Sequence, residues 1–201
     1  MLNPARLVIA LVALTAIVQQ LMLHIAASFS VLNFFSYFTN LSNLFAALVL
    51  LLSVFSNGSL TQDLARYIST VNMGVVGIVF PVLLRNVDLG SLLPWVNFVL
   101  HYVMPVAIVL NWLLAPPAFK LNPKCALLAL VFPGLYLAYV IVRGAGTGWY
   151  PYPFLNPENV GGYGAVAAYS LGISATFLLV SWALLAVGNR LAASKAYNAS
   201  A

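Results

Sequence analysis

Six apolar runs divide the chain, at about 6–27, 34–55, 64–84, 95–114, 124–143 and 163–187. Each is close to the roughly 20 residues that an α-helix needs to cross a bilayer. Breakers separate them: SNGS at 56–59, APP at 115–117 and a Gly/Pro/Tyr-rich segment at 144–162. The pattern predicts an all-α polytopic membrane protein, a six-transmembrane-helix bundle forming one domain over 1–201. No internal repeat suggests an inverted-repeat transporter. The second run opens with FSYFTNLSNLF, residues 35–45. On a helix, Ser36, Thr39, Asn40 and Asn43 fall within an arc of about 100°, and Phe35, Phe38, Leu41, Leu44 and Phe45 take the remainder. A polar stripe in a membrane helix faces other helices or a wet cavity, not lipid.

Composition agrees with the spans. The chain has 201 residues, 63% hydrophobic and 5% charged, where a soluble domain has about 25% charged residues. One cysteine, Cys125, excludes an internal disulfide and a cysteine metal cluster, and no metal site is expected. The net charge of +5 comes from few, scattered basic residues, so it reads as topology and not as a nucleic-acid surface. With the N-terminus inside, Arg6, Arg66, Lys120, Lys124, Arg190 and Lys195 lie inside against Asp63. Arg85 and Arg143 lie outside against Asp88 and Glu158. This satisfies the positive-inside rule and predicts an N-in, C-in bundle. An alternative takes Arg6, the apolar run to Val18 and the small residues Ala26, Ala27 and Ser28 as a cleaved leader. Gln19, Gln20 and His24 interrupt its apolar core.

Other spans also carry polar faces: Gln20, His24 and Ser28 in the first, Asn97 and His101 in the fourth, Tyr136, Tyr139 and Arg143 in the fifth, Ser170, Ser174 and Ser181 in the sixth. A shared interior cavity would explain them. Thr39, His101 and His24 should lie at similar depth, in the outer leaflet. A threonine hydroxyl attacks an ester only if a base takes its proton, and histidine is the usual base. Asn40 or Asn43 offers hydrogen bonds to an oxyanion, and Asn97 lies one turn from His101, placed to orient its ring. No carboxylate lies inside any of the six runs, so a Thr-His-Asp triad is not expected within the helices; Asp88 and Glu158 are on the outer side but in loops. The bland reading of the stripe is helix glue, at about 0.6 kcal/mol per hydrogen bond.

The segment 144–162 is long for a plain connection. Trp149, Tyr150, Tyr152 and Phe154 suit an interfacial aromatic belt or a stiff lid over the cavity. Arg143 is expected to tie that lid to the bundle by pairing with Glu158 or with loop carbonyls.

FSYFTNLSNLF, LHYVMPVAIVLNWLL at 100–114 and GWYPYPFLNP at 148–157 together resemble the androgen-induced and androgen-dependent membrane protein family and its short bacterial six-span relatives. The resemblance implies an intramembrane threonine hydrolase of fatty acid esters of hydroxy fatty acids. It places the nucleophile at Thr39 and the base at His101, and implies the inner membrane of a bacterial cell. At Asn111 and Asn156 the chain departs from the acidic residues of the family, so no carboxylate carries over. Membrane lipids and a lipid ester are the partners implied, with no cofactor; the oligomeric state is not legible. Two alternatives stand beside this reading. His24 and His101 could ligate a haem from two helices, or the bundle could bind or transport a lipid or small molecule without catalysis.

Overall fold

The computed structural model describes residues 2–56, 58–88 and 90–200, apart from the side chains at 196 and 198–200. Among these residues there is no strand. Six helical runs are long and apolar enough to cross a membrane: Asn3–Ala26, Phe38–Phe55, Leu60–Leu84, Pro94–Leu114, Cys125–Thr147 and Tyr163–Lys195. The molecule is therefore an all-α integral membrane protein, as its hydropathy predicts.

The first span is one helix, α1 (Asn3–Ala26). Its buried stripe is mostly small, Ala10, Ala13, Ala16 and Ile17. Small residues let helix backbones approach where lipid offers no hydrophobic drive to associate, and α1 lies along the second span. That span is not the continuous helix expected from residue 34. A short α2 (Val31–Phe35) stops, and α3 (Phe38–Phe55) begins after two non-helical residues. The Ser36 hydroxyl bonds back to the Leu32 carbonyl at 2.7 Å and contacts the Tyr139 hydroxyl at 2.9 Å. Tyr37 is extended, at φ −81° and ψ 124°. Ser36 thus belongs to the break and not to the polar stripe of α3.

The third span is α4 (Leu60–Val79) followed by a wide π turn, Phe80–Leu84. The fourth is α5 (Pro94–Phe98), a second π turn, Val99–Val103, and α6 (Met104–Leu114). Pro81 lies inside the first wide turn and Pro105 just beyond the second. Each removes an N–H that a regular helix would give to the carbonyl four residues earlier. The two spans touch at Gly77, where a Cβ would lie 2.8 Å from the Pro105 Cβ. Only glycine permits that approach, and it brings the two wide turns side by side.

The fifth span breaks once, into α7 (Cys125–Leu128) and α8 (Val131–Thr147). After it come a 3-10 turn, Pro153–Leu155, a short α9 (Pro157–Val160) and the long α10 (Tyr163–Ser200). The sixth helix runs well past residue 187, where the apolar run ends. Consecutive spans alternate in direction, so residues 27–37, 85–88, 90–93 and 148–162 gather at one end of the bundle. At the opposite end, Asp63 and Arg66 are buried and form an ion pair at 3.2 Å. Asp63 also accepts from the Ala118 and Phe119 N–H groups at 2.7 and 3.0 Å.

Candidate functional site

Thr39 is the second residue of α3. Some hydroxyls deeper in helices bond back one turn, as Ser53 does to the Val49 carbonyl and Thr70 to the Arg66 carbonyl, both at 2.7 Å. The break at residues 36 and 37 leaves Thr39 no preceding helical turn to bond. Its hydroxyl instead faces Tyr152, whose hydroxyl lies 3.5 Å from Thr39 Oγ1 and accepts from the Thr39 N–H at 3.3 Å. The neighbouring Phe38 N–H is capped by the Tyr136 hydroxyl at 3.2 Å, which itself donates to the Ser36 carbonyl at 2.7 Å. Two tyrosines from other segments thus cap α3, whose own N-cap side chain forms no cap bond. Burial raises the pKa of the Tyr152 hydroxyl, so it remains protonated and keeps a hydrogen to donate.

His101 sits in the second wide turn and is buried. Its ring stacks on Phe80 of the first wide turn, with centroids 3.8 Å apart and planes 25° apart. Nδ1 lies 3.2 Å from the Asn97 carbonyl. A carbonyl can only accept, so Nδ1 carries the proton and Nε2 holds a lone pair. The contact by which Asn97 orients the ring is its backbone carbonyl.

Thr39 and His101 line one cavity of about 490 Å³. No hydrogen bond directly joins them among the described residues. Gln20, His24 and Asn40 share its wall, as do Trp149, Tyr150 and Tyr152 of segment 148–162. Asp88, which the sequence leaves in a loop, also reaches it; its Oδ1 accepts from the Gly90 N–H at 2.9 Å. Asn40 gives one amide hydrogen to the Phe34 carbonyl at 2.8 Å. Asn43 does not line the cavity. Both its amide hydrogens are used, on the Thr39 carbonyl at 2.9 Å and the Leu100 carbonyl at 3.1 Å. It cannot donate to an oxyanion. It braces the backbone of Thr39 against the residue preceding His101. His24 bonds the Ser30 carbonyl through Nε2 at 2.9 Å and packs on Phe29 and Phe34. It holds the turn between α1 and α2.

The segment 148–162 covers this end of the bundle. Gly144 of α8 leaves room for the Tyr150 ring, which would overlap any Cβ there. The Tyr150 hydroxyl lies 3.4 Å from that of Tyr163, and this contact pushes its pKa up to about 12. Arg143 secures the segment, but not through Glu158. Its guanidinium lies 4.9 Å from the Trp149 ring and donates to Asn33 Oδ1 at 2.6 Å. Glu158 makes no ion pair among the described residues and does not line the cavity. It sits in the first turn of α9, where a helix N-terminus favours negative charge. Trp149 in turn meets Tyr37 edge to face at 5.8 Å.

Residues 77–186 match the model of the FAR-17a/AIG1-like protein family. The chain belongs to that family. This is the androgen-induced family that the three sequence motifs resemble. The matched part of this FAR-17a/AIG1-like protein contains His101, Phe80 and the whole of segment 148–162, and begins after Thr39. No curated protein and no solved structure matches the chain.

Proposed function

We propose that this FAR-17a/AIG1-like protein is an intramembrane hydrolase of long-chain lipid esters, of the fatty acid ester of hydroxy fatty acid type, with Thr39 as nucleophile and His101 as base. The observation that carries the reading is the shared cavity: a hydroxyl freed by a helix break faces the same space as a histidine whose Nε2 holds a lone pair. Thr39 Oγ1 attacks the ester carbonyl carbon while its proton passes to His101 Nε2. The Tyr152 hydroxyl, held by the Thr39 N–H, donates to the oxyanion, with the second amide hydrogen of Asn40 on the same wall. The carbon–oxygen bond to the leaving alcohol breaks, and His101 returns the proton to that oxygen. Water then adds to the acyl-Thr39 ester and gives a proton to His101. Collapse releases the fatty acid and returns the proton to Thr39. With the charge bias setting the N-terminus inside, the cavity opens to the outer leaflet.

A lipophilic fluorophosphonate tests the nucleophile. The expected result is one modified peptide, carrying the label on Thr39. A label mapped to another hydroxyl, with Thr39 free and turnover lost, overturns the assignment. Tyr152→Phe tests the oxyanion role. Loss of one such donor lowers kcat by about 100-fold or more, and KM should change little because the ring remains. An unaltered kcat would leave Tyr152 as packing alone.

A further inference from the structure

A second cavity, of about 270 Å³, lies on the other side of Thr39. Thr39, Phe80, Leu84 and Tyr152 line both cavities, so the candidate nucleophile stands in the wall between them. The two differ in chemistry. The first is edged by amides, histidines and Asp88. The second is bounded by α3, α4, α8 and α10 and is almost wholly apolar, with Phe38 and Phe177 meeting edge to face at 5.8 Å on its wall. Its far side is open. Gly134 of α8 and Ser174 and Leu178 of α10 line it and are exposed, and nothing lies within 4 Å of where a Gly134 Cβ would be. These residues face outward in the middle of two spans, so the opening gives onto the bilayer.

We infer that this cavity is the acyl-chain site, and that the chain enters sideways from the bilayer between α8 and α10. The inference rests on the hydrolase reading and adds the substrate part that each cavity takes. At about 30 Å³ per water-sized group, 270 Å³ holds on the order of nine methylenes. That suits one unbranched chain. A carbonyl carbon placed at Thr39 puts the first part of the chain in the cavity and leaves the remainder in lipid through the gap. The alcohol half and the hydrolytic water then lie in the polar cavity, next to His101. An acyl chain needs no polar contact, and the apolar cavity offers almost none. The tail never leaves a hydrocarbon environment, so binding does not require extracting the lipid into water.

The test is photocrosslinking of the full-length protein in phosphatidylcholine nanodiscs, using dodecanoic acid with a diazirine near the middle of its chain. Labelling is expected on the peptides of α8 and α10 that contain residues 133–137 and 170–178. Excess unlabelled dodecanoate should suppress it. Gly134→Phe, which fills the opening, should reduce it at least tenfold, and Ser174→Phe does the same from the facing helix should the first variant fail to fold. Both should lower the kcat/KM ratio of dodecanoyl to butyryl ester at least tenfold, a shift that general misfolding does not produce. Labelling that persists in both variants, or that dodecanoate does not suppress, is contact with bulk lipid tails and overturns the inference. Thr39→Ala separates this inference from the hydrolase reading. If that variant keeps both labelling and turnover, the nucleophile assignment falls and the chain site stands.

Discussion

Replacing Thr39 or His101 by alanine should lower kcat for a long-chain ester by about four to six orders of magnitude, the range seen when hydroxyl–histidine hydrolases lose either member. The double variant should be no slower than the worse single one, because the two residues act as a unit. Folding should survive. Thr39 Oγ1 has one long contact, 3.5 Å to Tyr152, and a hydrogen bond within a membrane is worth on average about 0.6 kcal/mol. Thr39→Ser should retain part of the activity, since the hydroxyl stays and only the methyl that restricts its rotamer is lost. His24→Ala should have a small effect, because that ring holds a turn. A folded Thr39→Ala protein that hydrolyses esters at full rate would falsify the mechanism and return the polar stripe to helix glue. Purified protein in detergent with a fluorogenic long-chain ester supplies the measurement.

The largest loss of stability should come from the opposite end of the bundle. Asp63→Ala leaves the buried Arg66 guanidinium without its counter-ion and frees the Ala118 and Phe119 N–H groups. Breaking a buried pair from one side costs about 3–5 kcal/mol. Arg66 also donates to the Ala115 carbonyl and lies 5.6 Å from the Trp112 ring, so the pair fixes α4 to the end of the fourth span and the turn after it. Asp63→Asn should cost less, because one side-chain oxygen still accepts. Both variants should keep kcat per folded molecule. At 1.5 Å per residue, Asp63 and Phe80 lie about 25 Å apart along one helical run. Thermal unfolding in detergent, read alongside kcat, checks both expectations. A kcat that falls in step with stability would instead join this end to the site.

Hydropathy made the six spans legible because a lipid-facing helix must be apolar all along its length. The same uniformity hid the interruptions. The break before Phe38 and the turn around His101 both lie inside continuous apolar runs, so no change of period marks them. Pro81 and Pro105 were the available signs. Thr39 and His101 stood out as candidates by residue type and depth, but their settings needed coordinates. Asn43 is a brace and not a donor because its partners are carbonyls, which every residue has and no motif displays. Arg143 meets the outer segment, but its partners are the Trp149 face and the Asn33 side chain, not Glu158 or the loop carbonyls expected. Asp63 and Arg66 are three residues apart, a spacing that brings helical side chains together. Counting them only as topological charges concealed a buried pair.

A π turn holds one residue more than the α turn it replaces. Seen this way, the fourth span is a regular helix with a single inserted residue, and the two parts on either side are out of phase by about 100°. Deleting one residue from Val99–Val103 would restore a straight helix. The apolar length would still cross the bilayer, and the hydropathy profile would hardly change. Yet α5 would swing by more than a quarter turn about the axis of α6. Where the deleted residue precedes His101, that ring stays with α6 while Asn97 leaves the position from which its carbonyl now meets Nδ1. The candidate base owes its orientation to an irregularity of one residue in the helical count, which no substitution within the turn can mimic.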